Sequence, residues 1–310
     1  MTVAIEQLGQ GITILRDVAY GEAAIGHGTP TPGWRALRMD VYLPPDDGAA
    51  TPRPALMLSH GGAYHRGAKE TDEFEQDGSH NTPMPEYCAR YAAKGYVCFS
   101  IGYRLTQELP APQPAPIRRG RTVHRGRIDY VRGLLGLPPA TDAELVDGME
   151  AAMADVACAY RFVEAHAARW RVDADRIALG GFSAGAFSSI YAACALGVPA
   201  AAILSLSGGM DPEDAAHYLH GGRGLPPLLL FSSEFDLPGI RDRTLALSSH
   251  AEALGMRQRR YFVPGKPHFY DRQTAVVLEH SSQTSSPAHC TLEAAMDDFL
   301  RANLAAPAVD

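Results

Sequence analysis

The sequence predicts an α/β protein built on a mostly parallel central sheet with helices on both faces. Three observations predict it. Short, nearly continuous apolar runs recur along the chain at residues 55–59 (ALMLS), 96–103 (YVCFSIGY), 177–179, 202–206 and 228–232, as expected of strands buried on both faces. Helical patterns lie between them, at about residues 86–94, 149–169, 184–196 and 243–254. The chain is also long enough: 310 residues, 46% hydrophobic and 20% charged, suit one large α/β domain with an ample core.

In chain order, residues 35–43 (RALRMDVYL) alternate and stop at Pro44-Pro45, which predicts an early strand paired with residues 13–20. The strand at 55–59 is followed by a polar loop at 70–85, a helix and the strand at 96–103. Residues 105–148 then break the rhythm. This stretch is rich in Pro and Arg and far longer than an ordinary connection, so it reads as an insertion over the sheet within a single domain spanning 1–310. Strands and helices resume from 149, with a last strand at 259–263. A closing helix at 291–304 places Leu292, Ala295, Met296, Phe299, Leu300 and Leu304 on one face.

Composition excludes several roles. A net charge of −7 does not advertise a nucleic-acid partner. No apolar run approaches the ~20 residues of a membrane span. The opening residues contain no base before Arg16 and no unbroken apolar stretch, so the expected location is cytoplasmic, with no membrane partner. Cys88, Cys98, Cys158, Cys194 and Cys290 are odd in number and far apart, which predicts neither a disulfide framework nor a metal site; no cofactor is expected. A homo-oligomer stays open.

The strongest chemical signal is Gly181-Phe182-Ser183-Ala184-Gly185, a G-x-S-x-G match between a buried strand and a helix. A sharp strand-to-helix turn exposes the Ser hydroxyl, and the helix N-terminus behind it favours developing negative charge. The bland alternative is a glycine-rich turn. His60-Gly61-Gly62-Ala63-Tyr64 follows another strand, and small residues there let backbone N–H groups approach an oxyanion. A tight turn would use the same glycines. A Ser nucleophile needs a base and an orienting carboxylate. Asp236, just past the strand at 228–232, is the carboxylate of choice because it lies further into the loop than the fallback Glu234. His268 follows the strand at 259–263, where the base belongs; the other eleven histidines read as surface or structural residues.

With these motifs in this order, the chain resembles the α/β-hydrolase superfamily, and within it the HGG-type carboxylesterases related to hormone-sensitive lipase and bacterial feruloyl-esterase-like enzymes. The resemblance covers roughly residues 35–304. It rests on MDVYL at 39–43, the His60 turn, SIGYRL at 100–105, DRIALGGFSAG at 175–185, Asp236 and His268. It implies an α/β-hydrolase fold with a cap insertion at about 105–148. It implies a serine carboxylic-ester hydrolase acting on a small soluble ester through an acyl-enzyme, with Ser183 as nucleophile, His268 as base and Asp236 as its partner. The N–H groups of Gly62, Ala63 and Ala184 would form the oxyanion hole. Ala63 departs from the usual third glycine, which requires its φ to stay negative. Phe182 replaces the Asp frequent in the lipase-like group and leans the resemblance toward the feruloyl-esterase-like side, and Ala186 stands where glycine is frequent. The same triad serves amide, formamide and lactone hydrolases, and some relatives are non-catalytic binding proteins.

Six arginines fall within fifteen residues of the insertion: Arg118, Arg119, Arg121, Arg125, Arg127 and Arg132, with His124 among them and Asp129 opposing. They read as a solvated face, or as partners of acidic loops such as Asp72-Glu73. In the sharper reading, one or more of them clamp an anionic substrate.

Overall fold

The computed structural model describes residues 4–48, 51–119, 123–220, 224–282 and 287–305. Its main sheet has eleven strands: β1 (Ala4–Leu8), β2 (Ile12–Ile25), β3 (Gly33–Leu43), β4 (Arg53–Ser59), β7 (Val97–Ile101), β8 (Val172–Phe182), β9 (Ala202–Leu206), β10 (Leu228–Phe235), β11 (Gln258–Pro267), β12 (Ala275–Ser281) and β13 (His289–Thr291). A two-stranded ribbon, β5 (Glu75–Gln76) and β6 (Ser79–His80), stands apart. The helices are α1 (Met84–Ala93), α2 (Arg125–Leu134), α3 (Asp142–Ala165), α4 (Ala184–Cys194), α5 (Pro212–Tyr218), α6 (Ile240–Ala253) and α7 (Leu292–Leu304).

The strand order is β1-β2-β3-β7-β4-β8-β9-β10-β11-β12-β13. The six strands from β7 to β11 are parallel, and the flanking strands pair antiparallel on both sides. From the central β4 the chain first goes to β7 on one side and then returns to β8 on the other. The direction of winding therefore reverses between β4 and β8. In open α/β sheets the crevice beyond the strand ends at such a switch point is where ligands bind.

The continuous apolar runs are explained by the two cores. In β4, Ala55 and Met57 face one core while Leu56 and Leu58 face the other; in β7, Val97, Phe99 and Ile101 oppose Cys98. Side chains alternate across a strand, so a strand covered on both faces must be apolar at every position. The first core is closed by α3, α4 and α6 through Val156, Tyr160, Ile190 and Leu247, and the second by α1 and α7 through Tyr87, Tyr91, Leu292 and Phe299. The five cysteines are free. Among the described residues, no helix is long and apolar enough to cross a membrane.

Several elements depart from the sequence reading. β11 is not the last strand, because β12 and β13 extend the sheet beyond it. Only Val276 of β12 is fully buried, so this edge carries little apolar signal. The helix expected from residue 149 begins at Asp142. Thr141 caps it by accepting the N–H of Glu144, whose carboxylate accepts the N–H of Thr141 in return. The stretch 105–148 also contains α2, whose polar sequence buries only Ile128, Val131 and Arg132. A bidentate pair between Arg104 and Asp155, with Nη2 to Oδ1 at 2.7 Å, ties the end of β7 to α3 where this stretch begins.

Glu293 at the start of α7 joins three elements. Its Oε1 accepts from Arg90 Nε and Lys94 Nζ, both at 2.9 Å, and its Oε2 accepts from Arg272 Nη1 at 3.0 Å. Burial opposes its ionisation, but the three cations win and bring its carboxyl from an ordinary 4.5 down to about 2. A group whose folded pKa is depressed stabilises the fold fully above its unfolded value and loses that contribution as pH falls through the folded one. The stability gap between wild type and Glu293→Gln is therefore largest above pH 4.5 and closes as pH drops toward 2. Urea unfolding at a series of pH values reads it; a gap that stays constant across that window refutes this account.

Candidate active site

The turn from β8 into α4 is set by its closeness to β4. A Cβ on Gly181 would come within 2.4 Å of the Ser59 carbonyl oxygen, and one on Gly185 within 2.0 Å. Both positions therefore exclude any side chain. Between them Ser183 takes φ 51° and ψ −118°, a conformation costly for a non-glycine residue. Its N–H donates to Leu206 O at 2.8 Å, and the N-terminus of α4 lies directly behind it. The strained elbow lifts the hydroxyl out of the sheet, leaving Ser183 8% exposed.

Ser183 Oγ lies 2.9 Å from His268 Nε2, and His268 Nδ1 lies 2.6 Å from Asp236 Oδ1. A carboxylate only accepts, so Nδ1 carries the proton and Nε2 is left to accept from the Ser183 hydroxyl. His268 follows the end of β11, and Asp236 follows the end of β10. The structure thus brings together the three residues chosen from sequence. The fallback Glu234 points elsewhere: it is exposed and accepts the Gly265 N–H at 2.8 Å. Burial would raise the Asp236 carboxyl, but hydrogen bonds from His268, Ser207 and the Ser233 N–H outweigh it and hold the group below its ordinary value.

Ser207 was not found from sequence. It stands just past β9 with φ +51°, donates to Asp236 Oδ2 at 2.6 Å and lies 2.8 Å from the Tyr270 hydroxyl. Its one sequence signal is Ser207-Gly208-Gly209 directly after a buried strand, the same small-residue pattern seen at the other strand ends.

The turn after β4 corrects one expectation. Ala63 has φ +54° and Tyr64 φ +62°, so the backbone is left-handed where a negative φ was expected. The cause is a tight turn in which the N–H groups of His65 and Arg66 both donate to Gly62 O, at 3.0 and 3.2 Å. Left-handed backbone costs a non-glycine residue about 1–2 kcal/mol, which the turn must offset at both positions. Gly62 has φ +113°, and a Cβ there would strike Arg66 O at 2.0 Å. The turn is held from beneath by Tyr103, whose hydroxyl donates to His60 O at 2.8 Å and whose ring stacks on His60 at 4.1 Å. Burial lowers the His60 pKa to about 4, so it is neutral there. Asp72 anchors the turn laterally, accepting the N–H groups of Gly61 at 3.2 Å and Met84 at 2.7 Å. Burial dominates those bonds and raises its carboxyl to about 7. The N–H groups of Gly62, Ala63 and Ala184 meet no protein acceptor among the described residues.

Ser183, Ala63 and Ala184 border a cavity of about 320 Å³. Its walls include Tyr64, Met153 and Phe187 from the body of the fold, and His124, Arg127 and Ile128 from the inserted stretch. The arginine cluster divides. Arg118 pairs with Asp211 at 2.7 Å, sharing it with Arg243. The backbone N–H of Arg119 donates to Asp214 at 2.6 Å, while its guanidinium meets His217. Arg125 pairs with Asp129 and Asp142, and Arg132 donates to Pro138 O and contacts His65 Nε2. Arg121 lies outside the described residues. The acidic partners are therefore not Asp72-Glu73, since Asp72 is spent on backbone N–H groups beneath the turn. Arg127 has no carboxylate partner among the described residues.

One carboxylate cluster could hold a cation. Oxygens of Asp17, Asp40 and Glu70 converge within 4.8 Å. The Lys69 ammonium already reaches all three, at 3.0 Å to Asp17 and 2.7 Å to Asp40, and Arg16 pairs with Asp40 at 2.6 Å. The positive charge that such a cluster needs comes from the protein itself.

The BD-FAE family model matches residues 144–198, which run from within α3 through the Ser183 elbow and past the end of α4. No curated protein sequence matches the chain. Among solved structures, Thermogutta terrifontis esterase 2 phosphoramylated by tabun aligns over 96% of this chain and 97% of its own, with 18% identity and a TM-score of 0.57. The same esterase phosphorylated by paraoxon aligns over 94% and 91%, with 18% identity and a TM-score of 0.54. MGS-M1, an alpha/beta hydrolase enzyme from a Medee basin deep-sea metagenome library, aligns over 84% of both chains, with 14% identity and a TM-score of 0.50. At these identities the likeness is one of architecture, and it agrees with the strand order and the elbow: the chain has the α/β-hydrolase fold.

Proposed function

We propose that the protein is a serine ester hydrolase of the carboxylesterase type, with Ser183 as nucleophile, His268 as general base and Asp236 as the group that orients it. One observation carries the reading: the hydrogen-bond chain Ser183–His268–Asp236, at 2.9 and 2.6 Å, opens at its serine end on a cavity of about 320 Å³. A serine on a strained turn at the cavity wall, a carboxylate held ionised and three unspent N–H groups are the parts that acyl transfer requires. That the structural neighbours include esterases supports the same chemistry.

In this mechanism Ser183 Oγ attacks the ester carbonyl carbon while His268 Nε2 takes its proton. The carbonyl oxygen gains negative charge and is held by the N–H groups of Gly62, Ala63 and Ala184. Asp236 stabilises the imidazolium without taking the proton. The tetrahedral species collapses, the bond from carbonyl carbon to alcohol oxygen breaks, and His268 returns its proton to the leaving alcohol. Water then attacks the acyl-enzyme with His268 again as base, releasing the acid and restoring Ser183. The described part of the inserted stretch, which lines the cavity through His124, Arg127 and Ile128, acts as a cap that limits solvent in these steps.

Ser183→Ala abolishes turnover of aryl acetates, by about 10⁶-fold in kcat if the residue behaves as its counterpart in subtilisin. Paraoxon inactivates the wild type by adding one diethyl phosphoryl group to Ser183, read by mass spectrometry, and leaves Ser183→Ala unmodified. Activity retained in a purified Ser183→Ala protein refutes the mechanism. Asp236→Asn lowers kcat by about 10⁴-fold, as the equivalent change does in trypsin, because the imidazole tautomer is no longer fixed. Glu234→Gln, whose native carboxylate accepts the Gly265 N–H away from His268, keeps most of the activity. The reverse ranking would assign the orienting carboxylate to Glu234.

A further inference from the structure

Ser183 has two approaches. The large cavity borders Ser183 but not His268. A narrow cleft with about 10 Å³ of free space borders both, and its other walls include Arg66, Phe74, Arg127 and Phe269. The alcohol of an ester receives its proton from the base, so the leaving-group side of the substrate lies toward His268 and this cleft.

Two guanidinium groups stand in that cleft without a carboxylate. Among the described residues, Arg66 forms no ion pair, and its Nε is buried with no hydrogen-bond partner. Its guanidinium lies over the Phe74 ring at 4.3 Å. Arg127 lies over Phe269 at 5.4 Å and Tyr130 at 5.2 Å, and it donates to the neutral Gln76 Oε1 at 2.8 Å. Aromatic faces hold a cation in place without neutralising it. Burial lowers the pKa of both arginines, and the charge of Arg66 adds to the effect on Arg127. Of the described neighbours, Arg125 pairs with Asp129 and Asp142, while Arg118 and Arg243 share Asp211 on the wall of the large cavity. Arg66 and Arg127 thus set two guanidinium groups with no carboxylate, among the described residues, in the cleft that His268 borders.

We propose that Arg66 and Arg127 form a carboxylate-binding subsite on the leaving-group side of Ser183, so that the preferred substrate is an ester whose alcohol portion carries a carboxylate. This rests on the ester-hydrolase reading of Ser183 and narrows its substrate class. Two guanidinium forks on flexible stems can each place N–H donors on one carboxylate, and desolvation by the aromatic walls strengthens those bonds. Arg127 borders the large cavity as well as the cleft, whereas Arg66 borders the cleft alone, so a carboxylate held in the cavity meets Arg127 first and Arg66 behind it.

The test compares para-acetoxybenzoate with its neutral isostere para-acetoxybenzamide, each kcat/KM divided by the compound's own rate of alkaline hydrolysis. Wild type favours the carboxylate by about 10- to 100-fold, the worth of one or two charge-assisted hydrogen bonds. Arg127→Gln and Arg66→Gln each bring that ratio toward one. Arg119→Gln, whose partners are Asp214 and His217 outside the cleft, keeps it. Because the ratio is internal to each protein, partial loss of folded variant does not distort it, and the wild-type ratio decides even if a variant fails to fold. Calorimetric binding of para-hydroxybenzoate against para-hydroxybenzamide gives a second readout that needs no turnover. Tighter binding of the acid, lost in Arg127→Gln, supports the subsite even if neither ester is cleaved, an outcome that would count against the hydrolase reading alone. Equal handling of charged and neutral compounds by wild type in both assays overturns the subsite and leaves ester hydrolysis standing.

Discussion

The approach of the β8–α4 turn to the end of β4 is the constraint on which the site depends. With the Ser59 carbonyl so close to Gly181 and Gly185, no side chain fits at either position, and the chain between them is forced into the left-handed conformation of Ser183. The same contact brings the turn after β4, with Gly62 and Ala63, to the same end of the sheet as the start of α4. Sheet pairing enforces it: β4 and β8 are parallel neighbours in register from Ala55 with Ile177 to Ser59 with Gly181. Hydrogen bonding along the two strands therefore delivers the serine and the candidate oxyanion donors together, and the strain at Ser183, Ala63 and Tyr64 is sustained by that pairing.

Charge is sorted around this point by burial and by partners. Asp236 and Asp72 are both buried carboxylates near the site, yet their pKa values move in opposite directions. Asp236 is held ionised against the cost of burial because His268 and Ser207 donate to it alongside backbone N–H groups. Asp72 receives only two backbone N–H groups, and desolvation wins. The first arrangement suits a residue that must stabilise an imidazolium, the second one that braces a loop. The arginines follow the same logic: Arg118, paired with Asp211, ties the inserted stretch to the body, and Arg66 and Arg127, framed by aromatic rings, have no carboxylate partner among the described residues.

Residues with a local signature were legible in the sequence. Gly181 and Gly185 around Ser183, Asp236 past a buried strand and His268 past another are each announced by a strand end and a turn. The parallel strands were legible for a related reason, since burial on both faces demands apolar residues at every position, as in residues 55–58 and 202–204. The half-exposed edge strands β12 and β13 and the polar helix α2 give no such signal, and these were missed. Ala63 was misjudged because a preference for negative φ is a local rule, and the doubled hydrogen bond to Gly62 O overrides it.

The sequence by itself determined the class of fold and the residue types of the site, because both rest on periodicity and on turn chemistry within a few residues. Tertiary structure alone decided which groups meet. Asp236 and Glu234 are two positions apart and chemically alike; only the path of the loop after β10 turns one to His268 and the other to Gly265. Ser207 and Tyr270 join the same network from distant segments. Arg66 and Arg127 are 61 positions apart and share a cleft with no sequence pattern linking them. Each of these contacts is a long-range pairing of side chains, fixed by the packing of separate elements, and a sequence records such a pairing only once the fold has brought its members together.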